Sequence, residues 1–136
     1  YLDVLAEIKK GKEKGLKGGY DKKRKCWIIK TGKLNKLLIR KIKEARKKGK
    51  SLVIDSHLAH ELPKRYVDFC LITKCSLKRL RKRLEKRGYS QLKIKENLEA
   101  EVFDICKVEA EEKGHKILVA KTDKPLSLEK LRQKFN

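Results

Sequence analysis

Methionine is absent from the 136 residues, proline occurs twice, tryptophan once, and aromatic residues make up 6% of the chain. A translated chain starts with methionine, and its removal normally needs a small second residue, which Tyr1 is not. The expectation is therefore a fragment, a processed form, or the ordered part of something longer. No apolar run approaches the roughly 20 residues that span a bilayer, and no signal-peptide pattern is present, so no membrane partner is expected. The four cysteines, Cys26, Cys70, Cys75 and Cys106, include no C-x-x-C pair. That spacing argues against a zinc site and suits buried, reduced thiols in the cytoplasm. Scarce aromatics, with no RNA-binding-fold signature, argue against a protein built as an aromatic platform for RNA. Acidic residues are also short: 18 against 39 lysines and arginines, a formal net charge of +21.

That one-sided charge is the first positive feature. Charged residues form 42% of the chain, well above the usual quarter. A field of this sign attracts polyanions such as nucleotides and RNA. A solvated Lys/Glu-rich surface of the thermophile kind is the alternative; it accounts for the density of charge but not for its sign. The length suits one compact domain, and the 39% of hydrophobic residues suffices for a modest core.

The spacing of apolar residues yields an element order. Leu2, Leu5 and Ile8 sit at helical spacing. Glycines then make residues 11–25 a basic loop, followed by a short extended piece over 26–30. Leu34, Leu37, Leu38 and Ile42 mark an amphipathic helix ending at Gly49. Leu52 to Asp55 reads as a buried parallel strand and Val67 to Ile72 as a second. Ser76 is a candidate cap for a helix with Leu77, Leu80 and Leu84 on one stripe, closed by Gly88. A long helix is expected from after Ser90 to about Lys113, then a strand over 117–120, a turn at Thr122–Pro125, and a last helix capped by Ser127 with Leu128, Leu131 and Phe135 inward. Strands alternating with helices imply an α/β layer fold with a parallel sheet. Ligands in such sheets bind at the carboxyl ends of the strands, which points to Asp55, Thr73 and Thr122.

Three features could carry chemistry. An aspartate ending a buried strand, as in Leu52-Val53-Ile54-Asp55-Ser56-His57, is how phosphoryl-transfer enzymes hold Mg²⁺ and its water shell, and His57 could order a water. Equally, Asp55 could cap the next turn and His57 merely pack. Arginines from Arg79 to Arg87 match phosphate oxygens or simply form the solvated face of a helix. Arg87 stands apart because it lies at the helix end, beside Gly88 and Tyr89, where a segment could close over a ligand. Gly18-Gly19-Tyr20-Asp21, flanked by lysines, could let backbone amides approach an anion, or be only a turn.

Taken together, Gly19-Tyr20-Asp21 in a basic loop, Asp55-Ser56-His57-Leu58-Ala59-His60 with Leu62-Pro63, and Arg83-Leu84-Glu85-Lys86-Arg87-Gly88-Tyr89-Ser90 continuing into Glu96-Asn97-Leu98-Glu99 resemble the small adenylate kinase/ATPase family of archaea and eukaryotes. Its eukaryotic members act in late small-ribosomal-subunit assembly. The resemblance implies a single three-layer P-loop kinase-like α/β domain over residues 1–136. It implies ATP and Mg²⁺ as cofactors, with AMP or another nucleoside monophosphate as acceptor. Asp55 would reach the metal through water, His57 would complete an Asp-x-His motif, and Arg87 would contact ATP phosphates from a short lid over 86–96. Residues 6–29, including Gly19, Tyr20 and Asp21, would form the monophosphate-binding segment. Thr122, Asp123 and Lys124 match a loop near the family's adenine pocket. The family opens with a strand, a G-x-x-x-x-G-K-[ST]-type loop and a helix, and no such loop occurs here. Tyr1-Leu2-Asp3-Val4 matches the stretch just after that unit, so truncation before Tyr1 is expected. Three readings are open: a phosphotransferase from ATP to AMP or water; an assembly factor contacting rRNA and a small-subunit ribosomal protein, with ATPase as its switch; and a non-enzymatic basic RNA-binding domain.

Overall fold

A computed structural model describes residues 1–10, 15–125 and 129. They belong to two compact units, Tyr1–Val67 and Asp68–Asn136. The last helix proposed around Ser127, Leu128, Leu131 and Phe135 lies outside the described residues.

In the first unit, strand β1 (Leu2–Asp3) leads directly into helix α1 (Val4–Lys10). Leu2 thus belongs to a strand, not to the helix expected from its spacing. The stripe that α1 buries runs through Val4 and Ile8, while Leu5 is 57% exposed. A hairpin comes next, β2 (Lys17–Asp21) and β3 (Cys26–Ile29). Of the basic loop read over residues 11–25, residues 11–14 lie outside the described residues, and the later part is corrected: Lys17 to Asp21 pairs antiparallel with Cys26 to Ile29, Tyr20 opposite Trp27, with an irregularity between Lys17 and Tyr20. Glycine is weak as a loop signal here because Gly18 and Gly19 sit where that irregularity occurs, and strand glycines often mark such places.

Helix α2 (Thr31–Lys47) buries Leu34, Leu37, Leu38 and Ile42, the stripe its spacing implies, and Gly49 lies beyond it with φ +61°. These apolar residues, with Val4, Leu16 and Leu62, form the unit's core. The strand read over Leu52–Asp55 shortens to β4 (Ile54–Asp55), which pairs in parallel with β1, Leu2 against Ile54 and Asp3 against Asp55. Val53 is 64% exposed. Two single 3-10 turns, Ala59–Glu61 and Lys64–Tyr66, complete the unit.

In the second unit, β5 (Cys70–Lys74) pairs in parallel with β6 (Ile117–Lys121) over their whole length. The strand begins three residues later than its apolar run at Val67 suggests. Between the strands come α3 (Leu77–Lys86), α4 (Gln91–Val102) and α5 (Ile105–Glu112). Each helix packs on its neighbour, and α5 packs on both strands. The single helix expected over 90–113 is broken: Asp104 adopts φ +54°, a left-handed conformation that an α-helix excludes. The Asp104 carboxylate meets the ammonium of Lys74 at the end of β5. Among the unit's described residues, Leu84, Ile94, Ala110 and Ala120 are the buried apolar ones.

Candidate functional site

In the first unit, Asp55 ends β4, and its parallel partner Asp3 ends β1. Both residues are exposed, so two carboxylates meet water at the carboxyl ends of adjacent parallel strands. Asp3 also accepts a hydrogen bond from the amide of Ala6 at 3.0 Å, which caps the start of α1. The Tyr1 hydroxyl donates to Asp55 Oδ2 at 2.5 Å. That bond, reinforced by desolvation and by the charges of Asp55 and Asp3, pushes the Tyr1 phenol above its ordinary pKa. Oxygen-only donors at a solvent-facing strand end suit a hard, hydrated divalent cation. Sequence reasoning singles out Asp55 and misses Asp3, whose neighbours Leu2 and Leu5 carry a helical spacing.

After Asp55 the chain turns sharply. Ser56 Oγ accepts the amide of Leu58 at 3.1 Å, and the Ser56 carbonyl accepts that of Ala59 at 3.2 Å. Ser56 therefore shapes the turn, and Asp55 is left to face solvent. His57 is exposed; of the nearby histidines it is His60, 6% exposed, that is buried. Gly19, Tyr20 and Asp21 lie on β2 in the hairpin. Asp21 Oδ1 accepts the amide of Arg24 at 2.9 Å and closes the hairpin turn.

In the second unit, α3 organises the site. At its start, the Ser76 side chain makes no cap bond to the helix. The amide of Ser76 instead donates to Asp123 Oδ1 at 2.9 Å. The amide and hydroxyl of Ser76, with smaller help from Arg79 and Arg83, hold the Asp123 carboxyl below its usual range. Arg83 forks onto the same loop: Nη1 donates to Thr122 Oγ1 at 3.0 Å and Nη2 to the Thr122 carbonyl at 2.8 Å. Thr122 also donates, through its amide at 2.7 Å and its hydroxyl at 3.0 Å, to the carbonyl of Lys74. The structure thus brings Thr122 and Asp123 together with α3, while Lys124 is exposed beside them.

Arg87 takes the opposite end of α3 as its C-cap. It is one turn past Arg83 and makes no hydrogen bond or ion pair to the 122–124 loop among the described residues. Gly88 comes next at φ +70°, and the Tyr89 amide returns to the Leu84 carbonyl at 3.3 Å. Ser90 caps α4, its hydroxyl accepting the amide of Lys93. Lys93 Nζ lies 4.1 Å from the centroid of the Tyr89 ring. The segment after Arg87 is therefore a tight, ordered turn with an exposed arginine at its head. The arginines that touch the loop are Arg83 and Arg79, whose Nε lies 3.8 Å from Asp123 Oδ1; sequence reasoning leaves both within the solvated face, and no signal in one sequence links Arg83 to a threonine 39 positions away.

Parallel strand pairs joined by helices define an α/β protein. The AAA domain family matches residues 8–104, and the chain belongs to that family, whose P-loop members share this α/β kinase-like fold. An adenylate kinase isoenzyme 6 homolog of Caenorhabditis elegans is 33% identical over 112 residues, 82% of this chain and 58% of that protein. The isoenzyme 6 homolog FAP7 of Saccharomyces cerevisiae is 36% identical over 94 residues, 69% of this chain and 45% of its own. A Methanocaldococcus jannaschii protein, provisionally named an adenylate kinase, is 32% identical over 116 residues, 85% of this chain and 60% of its own. The resemblance read from the sequence thus extends to named adenylate kinases in archaea and eukaryotes. The chain spans about half the length of the curated relatives it matches. Asp55, His57, Arg87 and the Gly19–Asp21 segment fall inside the range matched by the family, and Thr122–Lys124 falls outside it.

Proposed function

We propose that this chain is the body of an adenylate kinase-like phosphotransferase, moving the γ-phosphoryl of ATP to AMP or to water with Mg²⁺ as cofactor. The observation that carries the reading is Asp55, a solvent-facing carboxylate at the end of a parallel strand inside the range matched by the family. Asp55, with Asp3 beside it, would hold the metal through its water shell, which supplies charge neutralisation at the phosphates. Arg87 and the 86–96 segment would close on ATP phosphates, where guanidinium geometry suits phosphate oxygens. Thr122, Asp123 and Lys124 would border the nucleobase, and Gly19, Tyr20 and Asp21 would serve the acceptor monophosphate. His57 would orient a water when hydrolysis replaces transfer. Catalysis of this class rests on positioning and electrostatics, without a covalent intermediate.

ADP formation from ATP and AMP, measured on the protein expressed from its complete reading frame, tests this. Asp55→Asn is expected to lower turnover about 10- to 100-fold, the usual effect of losing a group that orders a metal's outer shell. Unchanged turnover in that variant would leave Asp55 structural and remove the core of the reading.

A second reading is favoured by the +21 charge: a cytoplasmic factor of small-subunit maturation that contacts rRNA and a ribosomal protein, with nucleotide turnover as its switch. Among the described residues no helix is long and apolar enough to cross a membrane. Pull-down of ribosomal RNA over a salt series separates this role from plain phosphotransfer; no retention even at low salt would sink it.

A further inference from the structure

The β2–β3 hairpin, which carries Gly19–Asp21 of the proposed acceptor segment, also offers a surface for the RNA contact of the second reading above, on which this inference rests. Tyr20 and Trp27 oppose each other across the ladder, their ring centroids 5.2 Å apart and inclined at 69° in an edge-to-face pair. Each is 49% exposed. The ammonium of Lys17 lies 5.3 Å from the Trp27 ring centroid. At the hairpin tip, Lys22, Lys23, Arg24 and Lys25 are all exposed. The tip is held in shape by the Asp21 carboxylate on the Arg24 amide and by Lys25 at φ +53°. A paired aromatic platform and a row of cations thus share one short, defined element.

Each feature alone has an ordinary explanation: scattered exposed aromatics are normal, and lysines are common in turns. Their combination is the composition of a single-strand reader, in which aromatic faces stack on unpaired bases while cations follow the phosphates. A duplex hides its base faces, and an acidic peptide would use the lysines but not the rings. The Tyr20 hydroxyl has no hydrogen bond among the described residues and is free to meet a ribose 2′-hydroxyl, the group that tells RNA from DNA. We propose that this hairpin is a docking site for single-stranded RNA, with Trp27 and Tyr20 stacking on unpaired bases and Lys17, Lys22 and Lys23 gripping the flanking phosphates.

Trp27 is the chain's one tryptophan, so its emission reports the platform directly. The purified protein is titrated with an unstructured RNA of about 12 nucleotides, within the usual span of such sites. Tryptophan emission and the anisotropy of labelled RNA are followed together. Stacking predicts quenching on binding. Trp27→Ala should weaken binding about tenfold and Trp27→Phe should recover part of that loss. Lys22→Ala with Lys23→Ala should reduce the logarithmic salt slope by about 1.4, two phosphates' worth for a single strand. Circular dichroism checks that each variant keeps its fold, and the phenylalanine variant carries the test if the alanine variant unfolds. Binding without quenching, or an affinity indifferent to both Trp27 variants, would mean attraction by charge alone and overturn the proposal. So would equal affinity for the same sequence as duplex or as DNA, or equal quenching by anionic vesicles. Quenching by AMP alone would assign the platform to the acceptor nucleotide instead. Loss of kinase activity in Asp55→Asn leaves this proposal intact, because that residue lies outside the hairpin.

Discussion

Asp123 anchors the start of α3, where the Ser76 hydroxyl makes no cap bond to the helix: its carboxylate takes the amide of the N-cap residue Ser76 itself. Negative charge at that end also complements the helix dipole. Because the folded pKa lies below the ordinary carboxylate value, its contribution is fully present above that ordinary value and fades as pH falls through the folded one. Asp123→Asn is therefore expected to lower the melting temperature at pH 7 and to flatten the acid limb of stability. Melts at neutral pH and near pH 3 check both, and equal losses at the two values would contradict the linkage. Arg83 poses a second test, since its two nitrogens bind one residue of the 122–124 loop. Lysine is a point cation and cannot form the fork. Arg83→Lys should quicken amide exchange at Thr122 several-fold while leaving α4 unchanged, and should raise the KM for ATP more than it lowers kcat if that loop borders the nucleobase. Asp55 is legible from one sequence because strand and acid are adjacent in the chain. Asp3 and Arg83 are not: their partners are made by the parallel pairing of β1 with β4 and by the return of the chain after β6.

At the scale of elements, the break between α4 and α5 shows where periodicity fails. The apolar stripe from Ile94 runs on through Val102 and Ile105, so spacing alone implies a single helix. Yet Val102 is 59% and Phe103 68% exposed, and the chain turns at Asp104. The turn is fixed by Lys74, 30 positions earlier, which no local pattern reveals. Asparagine tolerates the left-handed conformation, whereas alanine there costs about 1–2 kcal/mol. Asp104→Ala should therefore be destabilised by about 1 kcal/mol more than Asp104→Asn, the ion pair being lost in both. Urea unfolding measures the difference, and equal midpoints would mean that the ion pair alone sets the break. Helix α2 is the opposite case, since spacing alone identifies all four of its buried residues. Leu34 is fully buried, and Leu34→Ala should cost about 2–5 kcal/mol by loss of transfer energy and the cavity left behind. Its urea curve should keep the same slope if only stability changes.

Across the whole molecule, charge is the dominant unspent term. Even if every one of the 18 acidic residues neutralised a base, 21 of the 39 basic residues would remain unmatched. The ion pairs that do form, such as Arg40–Glu44, Lys95–Glu99 and Lys107–Glu111, are separated by 3.3–3.9 Å on exposed helix faces. Pairs of that kind contribute about 0–1 kcal/mol each, so screening them removes little. Repulsion among the unmatched cations acts over the Debye length, about 30 Å at 0.01 M salt and about 8 Å at 0.15 M, and screening it favours the compact state. The melting temperature should therefore rise as sodium chloride is raised from about 0.01 M to 0.15 M. Affinity for a polyanion should fall over the same range, because condensed counterions gain less entropy when released into a saltier solution. The two trends have opposite signs and one cause, so they are best measured on the same samples. A melting temperature that falls with salt would place the net stabilisation in the ion pairs and not in the relief of repulsion, and the reading of the surface as a polyanion-seeking field would lose its physical basis.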